Sequence, residues 1–263
     1  MIAEPIQVCR EGAIATVLLN RPEALNALNG DMVRRLAEGI SALAVDTEAK
    51  ILVLCGAGRA FCAGGDLRWV REFATGSQAG LHELAGIFHR SVSAIRRMDK
   101  PIIAAINGVA AGAGFSLALA CDFRIMAKGA VLRQAYSSAG LTIDGGGTFT
   151  LPRIVGLARA LEIAAFDPVI DSRQALEWGL VTRIVDDERV TAEAEAMARD
   201  LLGRSLTSFA WAKRLLSNSF EHALEVQLER EREGITTCAS LPDGREGVQA
   251  FLEKRRPVFG QSH

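Results

Sequence analysis

The chain has 263 residues, of which 49% are hydrophobic and 23% are charged, and its formal net charge at pH 7 is −1. This length is enough to bury a substantial core, and the composition is that of a soluble globular protein. The near-neutral charge argues against a nucleic-acid or membrane-surface partner, because such partners usually require a basic excess. Glycines and charges interrupt the apolar stretches too early for a membrane span, so we expect no membrane partner either.

The cysteines and the N-terminal residues indicate the compartment. Five cysteines are scattered along the chain, mostly inside apolar stretches, and no Cys/His spacing is typical of a metal site. This pattern fits buried thiols in a reducing compartment, and the first residues lack the charged-then-apolar pattern of a signal peptide. We therefore expect a cytoplasmic protein that binds no metal.

Taken in chain order, short apolar runs alternate with amphipathic stretches. Residues 13–20 predict a strand, and the next stretch has helical spacing, with Met32, Leu36, Ile40 and Leu43 on one side. Further predicted elements are a strand at 51–55, a helix at 81–98, a strand at 101–109, a helix of small residues and strand-like segments in 123–134. This alternation predicts an α/β core with parallel strands.

The pattern changes after about Leu157, where the remaining sequence is almost wholly helical in period. No linker separates this part from the rest, so a lid or an assembly element is favoured over an independent domain. We accordingly place the core in residues 1–200 and a C-terminal helical region in residues 201–263.

The loop RAFCAGGDL, residues 59–67, is the most informative segment for function. It follows an apolar run, and its small residues Ala63, Gly64 and Gly65 allow another molecule to approach backbone N–H groups. Converging N–H groups are what an oxyanion hole requires. A structural interpretation is also open, in which the glycines end a strand and Asp66 caps the next helix.

A second loop of small residues, NGVAAGAGFS, spans residues 107–116 and leads into a helix. The free N–H groups and the dipole of a helix N-terminus can stabilise a developing anion. Close helix packing selects Gly and Ala as well, so this segment alone favours a structural role. Two such loops, each after a buried strand, make the anion-binding interpretation more specific.

Two further segments carry charged residues. Asp144 stands between an apolar stretch and three glycines, where an aspartate is either a turn residue or a single functional carboxylate. The segment FLEKRRPVF, residues 251–259, clusters cations beside aromatic residues; such clusters are usually solvated surface but also suit phosphate and adenine groups.

In this order, the segments resemble the crotonase superfamily, also called the enoyl-CoA hydratase/isomerase family. The resemblance rests on NRPEALNAL, GAGRAFCAGGDL, KPIIAAINGVAAGAG, DGGGT with LPRIVG, ALEWGLVTRIV and FLEKRRPVF, which cover nearly the whole chain. It implies an α/β crotonase fold of repeated ββα units wound into a superhelix, with a C-terminal helical trimerisation region. It also implies a homotrimer or homohexamer and an acyl-CoA thioester substrate, with no cofactor besides the coenzyme A that the substrate carries.

The resemblance also implies roles for individual residues. The thioester oxygen would lie between the N–H groups of Gly65 and Ala113. The matching positions for coenzyme A contacts are Ala24, Leu25, Ala63, Asp66 and Leu67, with Phe251 and Lys254 reaching the coenzyme A of a neighbouring subunit.

Departures from the family pattern bear on the reaction. Ser116 and Tyr136 stand where family hydratases carry two glutamates, and neither can act as a carboxylate base, so ordinary hydration is disfavoured. Asp144 matches the working aspartate of the dienoyl-CoA and ring-type isomerases and of 4-chlorobenzoyl-CoA dehalogenase. One carboxylate with an oxyanion hole suits a proton shuttle that moves a double bond, with Ser116 and Tyr136 in the substrate pocket.

Other functions stay open. A dehalogenase-like hydrolase is the main alternative, because His89 has the spacing of that enzyme's working histidine, and we also assign His89 to the substrate pocket. Against it, that enzyme carries Trp and Phe at the positions of Tyr136 and Gly65. A hydratase with atypical residues and a non-catalytic acyl-CoA binder are the remaining alternatives.

Overall fold

A computed structural model describes residues 4–260 of the chain. The strands of this part are β1 (Ile6–Glu11), β2 (Ile14–Leu19), β3 (Ile51–Gly56), β4 (Ala60–Cys62), β5 (Ile102–Ile106), β6 (Val109–Ala111), β7 (Phe123–Ala127), β8 (Val131–Arg133), β9 (Ile170–Asp171) and β10 (Arg183–Val185). The α-helices are α1 (Gly30–Val45), α2 (Leu67–Arg71), α3 (Ser77–Arg97), α4 (Ala113–Ala120), α5 (Gly147–Val155), α6 (Leu157–Phe166), α7 (Ser172–Glu177), α8 (Val190–Leu202), α9 (Leu206–Asn218), α10 (Leu224–Ser240) and α11 (Pro242–Leu252).

The strands form two sheets, which the chain visits in turn. The larger sheet has the order β1-β2-β3-β5-β7-β10 and the smaller sheet β4-β6-β8-β9. Pairing is parallel except between β1 and β2 and between β8 and β9. In each of three successive units one strand enters the larger sheet, the next enters the smaller sheet, and a helix follows. This arrangement confirms the predicted α/β fold of repeated ββα units.

The central strands are apolar because both of their faces are covered. Every residue of β5 is buried, and so are the first five residues of β3. Asn29 caps the N-terminus of α1, and its side chain accepts a hydrogen bond from the Met32 amide at 2.9 Å. The predicted apolar side of this helix, which includes Leu36 and Ile40, is buried in the core.

The strand predicted over residues 101–109 is wrong in its extent, because the chain crosses from one sheet to the other within it. Gly108 packs so closely on a neighbouring loop that a Cβ there would lie 2.1 Å from the carbonyl oxygen of Arg59. The Asn107 side chain donates a hydrogen bond to the Gly58 carbonyl at 2.8 Å. The segment is therefore two strands, β5 and β6, and β6 runs beside β4.

The C-terminal third is mainly helical, as predicted, but two short strands interrupt it. Strand β9 joins the smaller sheet and β10 the larger, and both pair with strands far away in sequence. Helix α8 packs against the larger sheet, and the predicted boundary between residues 200 and 201 lies in its last turn. That boundary stays a prediction. Within residues 4–260 no helix is both long and apolar enough to cross a bilayer.

Candidate active site

The two small-residue loops meet at one edge of the smaller sheet. Because β4 and β6 are parallel neighbours, the loops that leave them start side by side. A Cβ on Gly64 would lie 3.0 Å from the Ala111 carbonyl oxygen and 3.5 Å from the Ala113 nitrogen. Gly64 has a φ of +104° and Gly112 a φ of +53°, conformations that favour glycine. Glycine at both positions therefore allows the two backbones to touch.

Two backbone amides are free at this meeting point. The Leu28 amide donates a hydrogen bond to the Gly64 carbonyl at 2.7 Å, and the Leu28 carbonyl accepts one from the Asp66 amide at 2.8 Å. The N–H of Gly65, which lies between these two residues, takes no part in this pairing. Ala113 begins α4, where first-turn amides have no partner in the helix. Among residues 4–260, neither of these two amides donates a backbone hydrogen bond, and both residues line one cavity.

The walls of this cavity are mostly apolar. The lining residues come from α1, α3 and the loops around them, and from the loop between β8 and α5. The lining residues with apolar side chains are Leu28, Val33, Ala63, Leu67, Leu81, Leu84, Ala85, Phe88, Ala113, Ala135, Ala139 and Leu141. The polar side chains on the wall are those of Tyr136 and Asp144. Such a cavity suits an acyl chain next to a small number of polar groups.

Asp144 is held on the cavity wall by its neighbours. The Ser116 hydroxyl donates to the Asp144 carbonyl at 2.6 Å, and the Gly145 amide donates to Oδ1 at 2.5 Å. The imidazole Nε2 of His89 also contacts Oδ1. Gly145 has a φ of +63° and packs against Phe88, so the turn has little room to shift. The carboxylate is 32% exposed and reaches the cavity from this fixed turn.

Tyr136 lies on the wall near Asp144 as a neutral phenol. Burial raises the pKa of Tyr136 well above its ordinary value, and the negative charge of Asp144 raises it further. At neutral pH the hydroxyl therefore keeps its proton, so it can donate a hydrogen bond but cannot act as a base.

Residues 9–262 match the family model described as enoyl-CoA hydratase/isomerase. The chain belongs to this family. It is 39% identical over 250 residues to the 1,2-epoxyphenylacetyl-CoA isomerase of Escherichia coli K12, covering 95% of each chain. It is 32% identical over 260 residues to the crotonyl-CoA hydratase of Syntrophomonas wolfei, covering 98% of this chain and 99% of the relative.

Solved structures agree with this assignment. An enoyl-CoA hydratase from Polaromonas sp. JS666 superposes with a TM-score of 0.90 at 34% identity, covering 96% of this chain and 98% of that one. The structure of DspI from Pseudomonas aeruginosa superposes with a TM-score of 0.89 at 34% identity, covering 98% of this chain and 97% of that one. The enoyl-CoA hydratase/isomerase family thus accounts for the fold, while its named members include isomerases and hydratases.

Within this family member, two of the predicted pocket residues lie outside the cavity lining. His89 is on the exposed outer side of Asp144, and Ser116 is buried behind the turn that carries Asp144. Both therefore contact Asp144 rather than forming the wall. Tyr136, Gly65 and the other predicted oxyanion and catalytic residues do line the cavity.

The predicted coenzyme A positions fall into two groups. Ala24 and Leu25 lie in a turn tied to the first loop, where the Ala63 amide donates to the Leu25 carbonyl at 3.0 Å. The carboxylate of Asp66 caps α2 and pairs with Arg21 at 3.2 Å, so the structural interpretation of this residue is confirmed. Its coenzyme A contact, like that of the neighbouring Leu67, stays a prediction.

Phe251 and Lys254 lie apart from the cavity. Phe251 is on α11 and is 82% exposed, and Lys254 follows the end of the same helix. Helix α11 packs on α10, which packs on α9. A contact from these residues to coenzyme A stays a prediction that depends on a neighbouring subunit.

Asp167 supports the cavity, although sequence reasoning did not single it out. It is 7% exposed, and its Oδ1 accepts a hydrogen bond from the Ala135 amide at 2.6 Å. Its Oδ2 pairs with Arg133 at 3.0 Å. Ala135 has a φ of +58°, which is unusual for alanine, and directly precedes Tyr136. Asp167 therefore holds the strained turn that places Tyr136, across a separation of 32 residues.

Replacing this carboxylate should give a pH-dependent loss of stability. Burial alone would raise the pKa of Asp167, but hydrogen bonds, first from the Ala135 amide and also from Arg133, hold the pKa below its ordinary value. Asp167→Asn should therefore lower the free energy of unfolding by about 1–3 kcal/mol at neutral pH. The difference should shrink as the pH falls through the folded-state pKa, because the wild-type carboxylate is then protonated. Urea unfolding between about pH 7 and about pH 2 measures it, because the folded-state pKa lies below the ordinary value of about 3.9; a pH-independent difference would contradict this origin.

Proposed function

We propose that this protein is an enoyl-CoA isomerase that moves a double bond along the acyl chain, with Asp144 as the proton carrier. The observation that carries the proposal is the placement of one carboxylate, Asp144, on an apolar cavity that also holds the free amides of Gly65 and Ala113. A proton-transfer reaction next to a thioester needs these two functions, a base and a site for the developing oxyanion.

The first step is removal of a proton from the acyl chain. The thioester oxygen accepts hydrogen bonds from the amides of Gly65 and Ala113. As Asp144 takes a proton from the carbon between the thioester and the double bond, the electron pair of that C–H bond moves toward the thioester oxygen. The product of this step is a dienolate, and each amide donor stabilises its negative charge by about 3 kcal/mol.

The second step returns the proton at a different carbon. Asp144, now a carboxylic acid, protonates the far end of the dienolate, and the double bond ends one position closer to the thioester. The apolar walls from Leu84 and Phe88 keep bulk water away from the intermediate. The proton transfer itself uses no metal or further cofactor, and coenzyme A enters only as part of the substrate.

The residues at Ser116 and Tyr136 disfavour hydration. A hydratase must hold and deprotonate a water molecule, and family hydratases do so with two glutamates. Here Ser116 is buried, and its hydroxyl donates a hydrogen bond to the backbone carbonyl of Asp144. Tyr136 is a neutral phenol. The 1,2-epoxyphenylacetyl-CoA isomerase relative supports the isomerase proposal, whereas the crotonyl-CoA hydratase relative does not.

The remaining parts of the proposal follow the family resemblance. Coenzyme A would contact the turn at Ala24 and Leu25 and the segment of Ala63, Asp66 and Leu67. Phe251 and Lys254 would reach it from a neighbouring subunit of a homotrimer or homohexamer. We place the enzyme in the cytoplasm.

One observation favours a second candidate, a hydrolase similar to 4-chlorobenzoyl-CoA dehalogenase. His89 contacts Asp144, and a histidine next to a nucleophilic aspartate could activate water to release a product. In this mechanism the Asp144 carboxylate attacks the ring and displaces chloride. Gly65 and Tyr136 depart from that enzyme's pattern, so we rank this reaction second.

A panel of acyl-CoA substrates tests the proposal. Purified protein is incubated separately with a 3-enoyl-CoA, a 2-enoyl-CoA and 4-chlorobenzoyl-CoA, and the products are followed by mass spectrometry and NMR. We expect the 3-enoyl-CoA to become a 2-enoyl-CoA of the same mass. A hydrated product formed at a comparable rate would favour a hydratase, and chloride release would favour the dehalogenase reaction.

A further inference from the structure

His89 connects Asp144 to the outside of the protein. It lies on α3, its side chain is 52% exposed, and its Nε2 contacts Oδ1 of Asp144. It does not belong to the cavity lining, whereas Asp144 does. The two side chains therefore form a pair with one member facing the acyl site and the other facing solvent.

The two carboxylate oxygens of Asp144 differ in their surroundings. Oδ1 contacts His89 and accepts the Gly145 amide hydrogen bond, whereas no such contact holds Oδ2 within the described residues. An acyl chain that fills the apolar cavity would cover Asp144 from the inner side. On the other side, Oδ1 contacts the imidazole of His89, whose side chain is 52% exposed and so reaches solvent.

We propose that His89 is the route by which Asp144 exchanges its proton with solvent during turnover, an inference that rests on the proposed isomerase function. After Asp144 has taken the acyl proton, the carboxylic acid passes a proton through Oδ1 to Nε2 of the neutral Nδ1–H imidazole. The exposed imidazolium then turns away from Asp144, which is left as a carboxylate, and its Nε2 proton is released to water and replaced by one from solvent. When the contact re-forms, the proton that Nε2 returns to Oδ1 comes from solvent, so Asp144 carries a solvent hydrogen into the second step.

This exchange competes with direct return of the original proton. Asp144 can complete the isomerisation with the proton it took, so His89 determines the origin of the hydrogen in the product more than the rate of its formation. A residue that only positions Asp144 would alter the rate without altering the origin of that hydrogen. Isotope content therefore separates the two roles.

The test starts from an unlabelled 3-enoyl-CoA, which carries only ¹H, and runs the reaction in D₂O. Mass spectrometry at early times measures how much solvent deuterium the product contains. His89→Leu removes both the contact and the proton transfer, and His89→Gln keeps a polar group that cannot relay a proton. His82→Leu is the matched control, because His82 is exposed on the same helix two turns earlier. We expect severalfold less deuterium per product with both His89 variants and the wild-type content with His82→Leu.

Wild-type deuterium content in both His89 variants would overturn the inference. Wild-type content in His89→Gln alone would assign His89 a positioning role and overturn it as well. Failure of the proposed function is distinguished by the wild-type protein, which would then form no isomer at all. In that case exchange of the α-hydrogens of a saturated acyl-CoA with D₂O provides the same comparison, and an exchange rate unaffected by His89→Leu would overturn the inference.

Discussion

Asp144→Asn is expected to abolish double-bond migration while leaving acyl-CoA binding intact. The amide has the same size as the carboxylate and can still accept the Gly145 hydrogen bond at Oδ1, so the turn should keep its shape. It cannot take up a proton, and loss of a general acid–base group typically costs about 10²–10⁴ in rate. Turnover of a 3-enoyl-CoA measures kcat, and calorimetry measures the dissociation constant of a saturated acyl-CoA.

The control for this substitution is Asp31→Asn, which neutralises an exposed carboxylate on α1 and should leave the rate unchanged. Wild-type turnover in Asp144→Asn would remove this residue from the mechanism. Loss of binding together with turnover would show instead that the carboxylate maintains the cavity.

Gly64→Ala is expected to remove most of the activity by spoiling the oxyanion site. Alanine is strained at a φ of +104°, and its Cβ would press on the Ala111 carbonyl at 3.0 Å. Relief of this contact moves the loop that carries the Gly65 amide away from Ala113. Loss of one oxyanion donor typically lowers kcat by about 10²–10³. Steady-state kinetics should show the loss in kcat, with a smaller change in binding of a saturated acyl-CoA.

Gly86→Ala provides the matched control for this second prediction. Gly86 lies exposed in α3, and a Cβ there meets nothing within 4 Å. This change should stabilise the fold by up to about 1 kcal/mol and leave kcat unaltered. An active Gly64→Ala enzyme would show that the alignment of the two loops does not matter for catalysis.

Local sequence patterns predict much of the fold. Every residue of the apolar run at 51–55 is buried, and the apolar residues of α1 recur with the helical period, so the residues of each segment carry the signal themselves. The split of 101–109 into β5 and β6 has no such signal, because it depends on Gly108 packing against the Arg59 carbonyl in another loop. Short strands such as β9 are likewise defined by pairing with a distant strand rather than by their own residues.

The same distinction holds for the candidate site. Gly65, Ala113 and Asp144 lie within recognisable short segments, and the structure brings all three to one cavity. The support that Ser116 gives to Asp144 spans 28 residues, and the support of Asp167 for Ala135 spans 32 residues. Such hydrogen bonds between distant segments depend on the complete fold, so neither role could be predicted from the sequence.

Turnover of a 3-enoyl-CoA in ¹⁸O-labelled water, followed by mass spectrometry of the product, shows directly whether this enzyme moves a double bond without adding water. If Asp144 moves a proton and no water is added, the main early product is a 2-enoyl-CoA without ¹⁸O. A 3-hydroxyacyl-CoA that carries one ¹⁸O as the main product would show that the enzyme is a hydratase and not an isomerase.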